Sequence, residues 1–406
     1  MTTHSADVRT LLVTVTGLDR PGVTSRLFEA MAGHAADVLD VERVVVRGRL
    51  ILGILVTAPD DEREFRAAVH DAGADLGMDV EITAGSGDRS RRPGRSHVTV
   101  LGHPLRPAAM SGLAGRIAAT GGNIDRIVRL ASYPVTSIEL EVSGAEPAVL
   151  RVELAKEALA HGLDVAVQPS GLIRRAKRLI VMDVDSTLVQ GEVIEMLAEH
   201  AGVLDQVAKV TEAAMSGELD FAESLRARVR LLAGLDAAAL DQVRSAVTLT
   251  PGARTLVRTL KRLDYRFAIV SGGFTQITDD LAARLGLDYA AANTLDVVDG
   301  RLTGELVGPV LDRAGKAAAL RRFAAAAGVP LSQTVAVGDG ANDLDMIATA
   351  GLGIAFNAKP VVRDAADTAV SVPYLDAVLY LLGISRSDIE DADAADGYTT
   401  PAPPLA

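Results

Sequence analysis

The sequence predicts an α/β chain in which two small βαββαβ modules precede a larger domain with a parallel sheet and a helical cap. Three observations carry that reading. A strand–helix–strand–strand–helix–strand pattern occurs twice before about residue 171, and Gly17 and Asp40 of the first copy are answered 85 residues later by Gly102 and Asp125. That period is too long for a solenoid unit and fits two copies of one small domain. From about Ala176 the pattern changes to short apolar strands alternating with long helices, as in parallel sheets covered on both faces. Three of those strands run into turns rich in Asp, Ser and Gly, at the strand ends where such sheets hold ligands.

Composition narrows the function classes. A length of 406 residues suits about two to four domains. With 7 Phe, 6 Tyr and no Trp, the cores must be built from Ala, Val, Leu and Ile. The absence of cysteine removes disulfides, thiolate metal sites and thiol nucleophiles together. A formal charge of −12 argues against nucleic-acid binding, whose affinity comes from Lys and Arg on phosphates. The longest apolar runs, near Leu50–Ala58 and Arg266–Val270, are strand-length rather than membrane-spanning. The first residues lack a basic region followed by an apolar segment. The expectation is a soluble, cytoplasmic, multidomain protein.

In the first module, an alternating strand at Leu11–Thr16 ends at Gly17, and Pro21 opens a helix to about Gly33. Two strands then meet in a hairpin at Arg47-Gly48-Arg49, with Asp40 in the first of them. A helix from Asp61 to about Leu76 and a strand at Val80–Thr83 complete the unit. The second module repeats the order, with Arg106-Pro107 answering Arg20-Pro21 one residue out of step and a hairpin at Ser132-Tyr-Pro-Val135. The modules span 8–84 and 96–171. Between them, 85–95 is rich in Gly, Ser and Arg without aromatic partners, which reads as a solvated linker rather than a nucleic-acid contact.

Gly17-Leu-Asp19-Arg20-Pro21-Gly22-Val23 and the helix after it resemble the ACT domain, a ferredoxin-like module that commonly binds amino acids and regulates an attached enzyme. As punctuation alone, Gly and Pro mark only a tight turn into a helix. The resemblance implies an effector site, with serine as the expected ligand. Asp19 would hold the ligand ammonium, the free N–H groups after Pro21 its carboxylate, and Gly22 would let the backbone come close. Such sites lie between modules, so Asp37 or Asn123 from a facing strand would complete one, and a homodimer is expected. In the second copy Ala108 and Ala109 stand where Gly22 and Val23 do, and a Cβ there obstructs close approach.

The larger domain, 176–384, opens with the apolar strand Arg178-Leu-Ile-Val-Met182, which runs straight into Asp183-Val-Asp185-Ser-Thr187. Alone, a DxD pair is more often a solvated turn than a site. Three further features accompany it. The strand Phe267–Val270 ends in Ser271-Gly272-Gly273, where a hydroxyl and two glycines let N–H groups approach an anion. The strand Val335–Val337 ends in Gly338-Asp339-Gly340-Ala-Asn342-Asp343, and Gly315-Lys316 places a cation at a helix start. Carboxylates, hydroxyl, ammonium and glycines at strand ends form the set that phosphoryl transfer requires.

These stretches, with Gln190-Gly-Glu192 and Leu225-Arg-Ala-Arg228, resemble the four motifs of the haloacid-dehalogenase (HAD) superfamily, and within it the phosphoserine phosphatases in a long bacterial form with tandem ACT domains. The resemblance covers about Lys177 to Leu382 and implies a Rossmann-like core whose helical cap, about 190–250, selects the substrate. It implies Mg²⁺-dependent hydrolysis of phosphoserine, the last step of serine biosynthesis. Asp183 would be the nucleophile that carries an aspartyl-phosphate. Asp185 would be the general acid and base, a task that demands a raised pKa. Mg²⁺ would be held by Asp183, the Asp185 backbone carbonyl and Asp339, with Asp343 orienting its water ligands. Ser271, Gly272 and Lys316 would hold the phosphoryl oxygens. Glu192 suits the substrate ammonium and Arg228 its carboxylate. Met215 and Phe221 would wall the pocket, and Asn342 is expected to reach the phosphate or carboxylate.

The stretch 385–406 is acidic and then Pro-rich, and is expected to be a disordered tail. Two competing readings remain at this level. One keeps the fold and changes the substrate to another small phosphomonoester, a phosphoprotein, or transfer to an alcohol. The other is an amino-acid sensor with a vestigial phosphatase domain.

Overall fold

A computed structural model describes residues 8–86, 94–171, 174, 176–215 and 220–401; most of the linker 85–95 and the last five residues of the tail lie outside that description. The chain divides into two compact units near residue 92.

The first unit is a four-stranded antiparallel sheet in the order β2-β3-β1-β4, formed by β1 (Arg9–Leu18), β2 (Val38–Val46), β3 (Arg49–Thr57) and β4 (Asp79–Ser86). Period 2 places Leu11, Val13 and Val15 of β1 inward with Leu50, Leu52 and Ile54 of β3. Helices Val23–Ala32 and Glu62–Asp75 present Val23, Leu27, Met31 and Phe65, Val69 to that core at helical spacing. The hairpin at Arg47-Gly48 has φ of 48° and 75°, the paired positive values of a two-residue turn that matches strand twist.

The second unit begins with a sheet of the same order, β6-β7-β5-β8, made by β5 (Ser96–Gly102), β6 (Asn123–Ala131), β7 (Thr136–Ser143) and β8 (Asp164–Pro169). A seven-stranded sheet follows, from β9 (Leu179–Met182), β10 (Arg266–Phe274), β11 (Tyr289–Val298), β12 (Arg301–Val307), β13 (Thr334–Gly338), β14 (Gly353–Phe356) and β15 (Thr368–Val370). Its order is β12-β11-β10-β9-β13-β14-β15, parallel except for the edge strand β12. Between β9 and β10 lie helices Val193–Ala201, Leu204–Met215, Phe221–Arg230 and Ala238–Ala246. The two sheets of this unit share a core. Leu101, Leu130, Ala131, Val135 and Ala166 pack in the same apolar cluster as the residues around β9 and β10. Gln168 Nε2 donates to Leu381 O at 2.7 Å, and the Ser371 N–H donates to the buried Asp164 Oδ2 at 2.6 Å. Cutting the chain at residue 172 would strip that cover from the larger domain.

The acidic stretch after 384 is a correction to the expectation of disorder. Residues Arg386–Ala395 form a helix opened by a Ser385–Asp388 capping box. Asp393, its side chain fully buried, accepts from Arg258 Nε at 2.8 Å, Arg262 Nη1 at 2.6 Å and Thr400 Oγ1 at 2.8 Å. Burial opposes its charge, but the hydrogen bonds from Arg258 and Arg262 outweigh it and hold the carboxyl well below the usual carboxylate range. Composition alone reads such a segment as solvated; the arginines that answer it lie more than a hundred residues away in the chain. Asp393→Ala is expected to cost about 2 kcal/mol or more of stability at neutral pH in chemical denaturation. Because the folded-state pKa is depressed, that contribution is full above the unfolded value near ~4 and is lost as pH falls through the lower folded value. The gap between native and variant therefore closes in acid.

Candidate active site

Sheet register assembles the site. Met182 of β9 is level with Ile269 of β10 on one side and Val337 of β13 on the other. Asp183, Ser271 and Asp339 each follow these residues by one or two positions, so they emerge together at the carboxyl edge of the sheet. The Asp183 N–H donates to Val337 O at 2.9 Å and extends the ladder by one residue. Immediately after, Ser186 takes φ 55° in a tight turn across Val184–Leu188 and redirects the chain. That turn sets Asp185 apart from Asp183: its Oδ1 accepts from the Val193 N–H at 2.8 Å and its Oδ2 from Ser271 Oγ at 2.9 Å.

Lys316, at the start of helix Arg313–Ala326, is fully buried and lies 2.7 Å from both Asp183 Oδ1 and Asp343 Oδ1. Asp343 Oδ2 accepts from the Gly340 N–H at 3.0 Å, and Thr187 Oγ1 donates to Asp339 Oδ1 at 2.8 Å. One carboxylate oxygen from each of Asp183, Asp339 and Asp343 falls within 4.8 Å of the others. Burial, then the neighbouring Asp343 charge, push the Asp183 carboxyl well above its ordinary value. Burial is also the leading reason that Asp339 is pushed up to about 6. Burial opposes the charge on Lys316, but Asp183 and Asp343 more than compensate and keep it a firm cation. A single ammonium thus faces several crowded carboxylates, a balance that calls for a further cation.

A cavity of about 650 Å³ opens over this edge. Asp183, Asp185, Glu192, Arg228, Asp339 and Asn342 all line it, with Gly272 and Phe221 on its wall. A Cβ on Gly272 would lie 2.9 Å from the Phe221 ring, so glycine is what lets the cap helix Phe221–Arg230 close on the strand end. Ser271 and Lys316 join the site through the bonds just given. Glu192 Oε1 accepts from Ser186 Oγ at 3.2 Å, and burial, then the Asp185 charge, push its carboxyl up to about 7. Arg228 makes no hydrogen bond or ion pair among the described residues, and burial pulls its guanidinium below its ordinary value. An unpaired, largely desolvated cation beside a raised carboxyl is the arrangement expected of a pocket for a ligand with both charges. The Met215 side chain lies outside the described residues.

Sequence reasoning missed Thr187 as the anchor of Asp339, and it missed Ser224, Thr211 and Lys359 on the cavity wall. Ser224 could have been found one helical turn before Arg228, and Lys359 just beyond the carboxyl end of β14.

None of the expected effector residues is among those lining this cavity. Asp19 Oδ1 accepts from Arg43 Nη2 at 2.7 Å. Gly22 takes φ 92° at the start of helix Val23–Ala32, a conformation that favours glycine, with open space where a Cβ would be. The Asp37 N–H donates to Thr57 Oγ1 at 2.8 Å. Asn123 belongs to the second unit, where its Nδ2 donates to Asp125 Oδ1 at 2.7 Å.

Comparison with known proteins agrees with this layout. Residues 180–348 match the haloacid dehalogenase-like hydrolases, and residues 9–83 and 95–168 each match an ACT domain. The chain is 63% identical to the phosphoserine phosphatase of Streptomyces coelicolor over 393 residues, covering 96% of each chain. It is 55% identical to the phosphoserine phosphatase SerB2 of Mycobacterium tuberculosis over 95% of this chain and 96% of that one. Among solved structures, a probable phosphoserine phosphatase from Vibrio cholerae aligns with a TM-score of 0.57 at 38% identity, over 73% of this chain and 88% of that one. No helix among the described residues is long and apolar enough to cross a membrane.

Proposed function

The chain belongs to the phosphoserine phosphatase family of haloacid dehalogenase-like hydrolases, and from that premise we propose that it converts O-phospho-L-serine to L-serine and phosphate with Mg²⁺, through phosphoryl transfer to Asp183, as the closing step of serine synthesis. The observation that carries the reading is the convergence in one cavity of a strand-end carboxylate set with Glu192 and with Arg228, which has no ion pair among the described residues. The first set suits a phosphate, and the second suits a carboxylate and an ammonium on one small ligand.

In the first half-reaction an Asp183 oxygen forms the bond to phosphorus as the bond to the serine oxygen breaks, and Asp185 gives that oxygen its proton. In the second, Asp185 takes a proton from water as that water's oxygen bonds to phosphorus and the bond to Asp183 breaks. The hydrogen bonds from Val193 N–H and Ser271 Oγ hold Asp185 in place for both transfers. Lys316 keeps a positive charge beside Asp183, where phosphoryl oxygens would sit, and Ser271 and Gly272 border the same position. The crowded carboxylates fit a divalent cation with oxygen ligands: Asp183, Asp339 and the Asp185 backbone carbonyl would hold Mg²⁺, with Asp343, already engaged by Lys316 and Gly340, orienting its waters. Mg²⁺ supplies charge neutralisation for the phosphoryl group. Phosphate release from phosphoserine is expected to stop in excess chelator and return with Mg²⁺. Undiminished release in chelator would refute the metal assignment.

We further propose that serine regulates the enzyme through its ACT domains, in a homodimer. Asp19, with the N–H groups following Gly22, would take the ligand's ammonium and carboxylate, the ammonium replacing the Arg43 guanidinium, and Asp37 of the same unit would complete the site. Millimolar-range serine is expected to change the activity of the full chain, as suits a site of few contacts. Asp19→Ala should remove that response and spare basal hydrolysis. A response that persists unchanged in Asp19→Ala would mean that serine acts as product in the catalytic cavity.

A further inference from the structure

Helix Phe221–Arg230 carries two buried polar atoms without a hydrogen-bond partner among the described residues, Ser224 Oγ and Arg228 Nε. The residues are four apart, so they share one helix face, and both line the catalytic cavity. Ser224 is 1% exposed. Buried orphans of this kind are rare because each has lost its water without gaining a partner. Here the two are complementary: the hydroxyl oxygen accepts, and the Nε–H donates.

We propose that Ser224 is the positioning residue of Arg228. When a substrate carboxylate draws the guanidinium into line, Arg228 Nε–H donates to Ser224 Oγ, and the two Nη groups face the carboxylate as a fork. One movement then satisfies both orphans and fixes the plane of the fork, on which bidentate recognition depends. The inference rests on the reading that Arg228 takes the substrate carboxylate.

The test uses the full chain and two substrates, phosphoserine and phosphoethanolamine, which keeps the phosphate and ammonium but lacks the carboxylate. Ser224→Ala is expected to raise KM for phosphoserine about fivefold to tenfold, the loss of roughly one hydrogen bond, with kcat within about twofold. Phosphoethanolamine kinetics should not change. Ser224→Thr, which keeps the hydroxyl, should recover most of the KM. In an Arg228→Ala background, Ser224→Ala should have no further effect, because it acts through that arginine. An equal loss on both substrates, no loss at all, or an added loss in the Arg228→Ala background would each overturn the proposal. If Arg228→Ala itself fails to discriminate between the substrates, the assignment of Arg228 falls first and takes this inference with it.

Discussion

Asp183→Asn is expected to lower phosphoserine turnover by on the order of 10⁴-fold or more while leaving the fold intact. The amide keeps the carboxylate's size but is a poor nucleophile, so the covalent route closes. The stability of the variant is informative as well. Asp183 is buried among Asp343, Asp185 and Asp339, and its carboxyl is pushed up by burial and by that crowding. Removing its charge relieves the crowding, and Lys316 retains Asp343 as its partner at 2.7 Å. The metal-free variant should therefore unfold at the native temperature or above it. Substantial activity in a folded Asp183→Asn protein would end the covalent mechanism.

Arg228→Ala is expected to reduce kcat/KM for phosphoserine about 10–100-fold, the range for losing a charged hydrogen-bonded contact. For phosphoethanolamine the change should stay within about threefold. The asymmetry follows from what Arg228 faces. It has no ion pair among the described residues and shares the cavity with Glu192, so its removal costs the protein little and a carboxylated ligand much. Equal losses on both substrates would show that Arg228 supports the cap rather than the ligand.

Particular residues show how far the sequence could be read. The strand-end set Asp183, Ser271 and Asp339 was legible because each residue follows a short apolar run, and parallel register then brings the three ends level. Glu192 and Arg228 are different. Each looks like an ordinary helix charge, and only family spacing singled them out; the cap brings both to the cavity wall. Contacts between distant segments were not legible at all. Asp19 is met by Arg43 across the sheet, and Asp393 by arginines of a helix far upstream. The apolar residues Leu130, Ala131 and Val135 lie in the second small module, yet they join the core of the larger domain. In each case the deciding partner is set by tertiary packing, which periodicity along one segment does not encode.

The proposed substrate presents three charges to one cavity, lined by Asp183, Glu192 and Arg228. Steady-state phosphate release by the native chain with Mg²⁺, compared for phosphoserine, phosphoethanolamine and an aryl phosphate, tests this most directly. The prediction is that kcat/KM for phosphoserine exceeds that for each of the others by at least about tenfold, because only phosphoserine carries both the ammonium proposed for Glu192 and the carboxylate proposed for Arg228. Comparable values for all three would contradict the assignment and leave a phosphatase whose cap does not select its substrate.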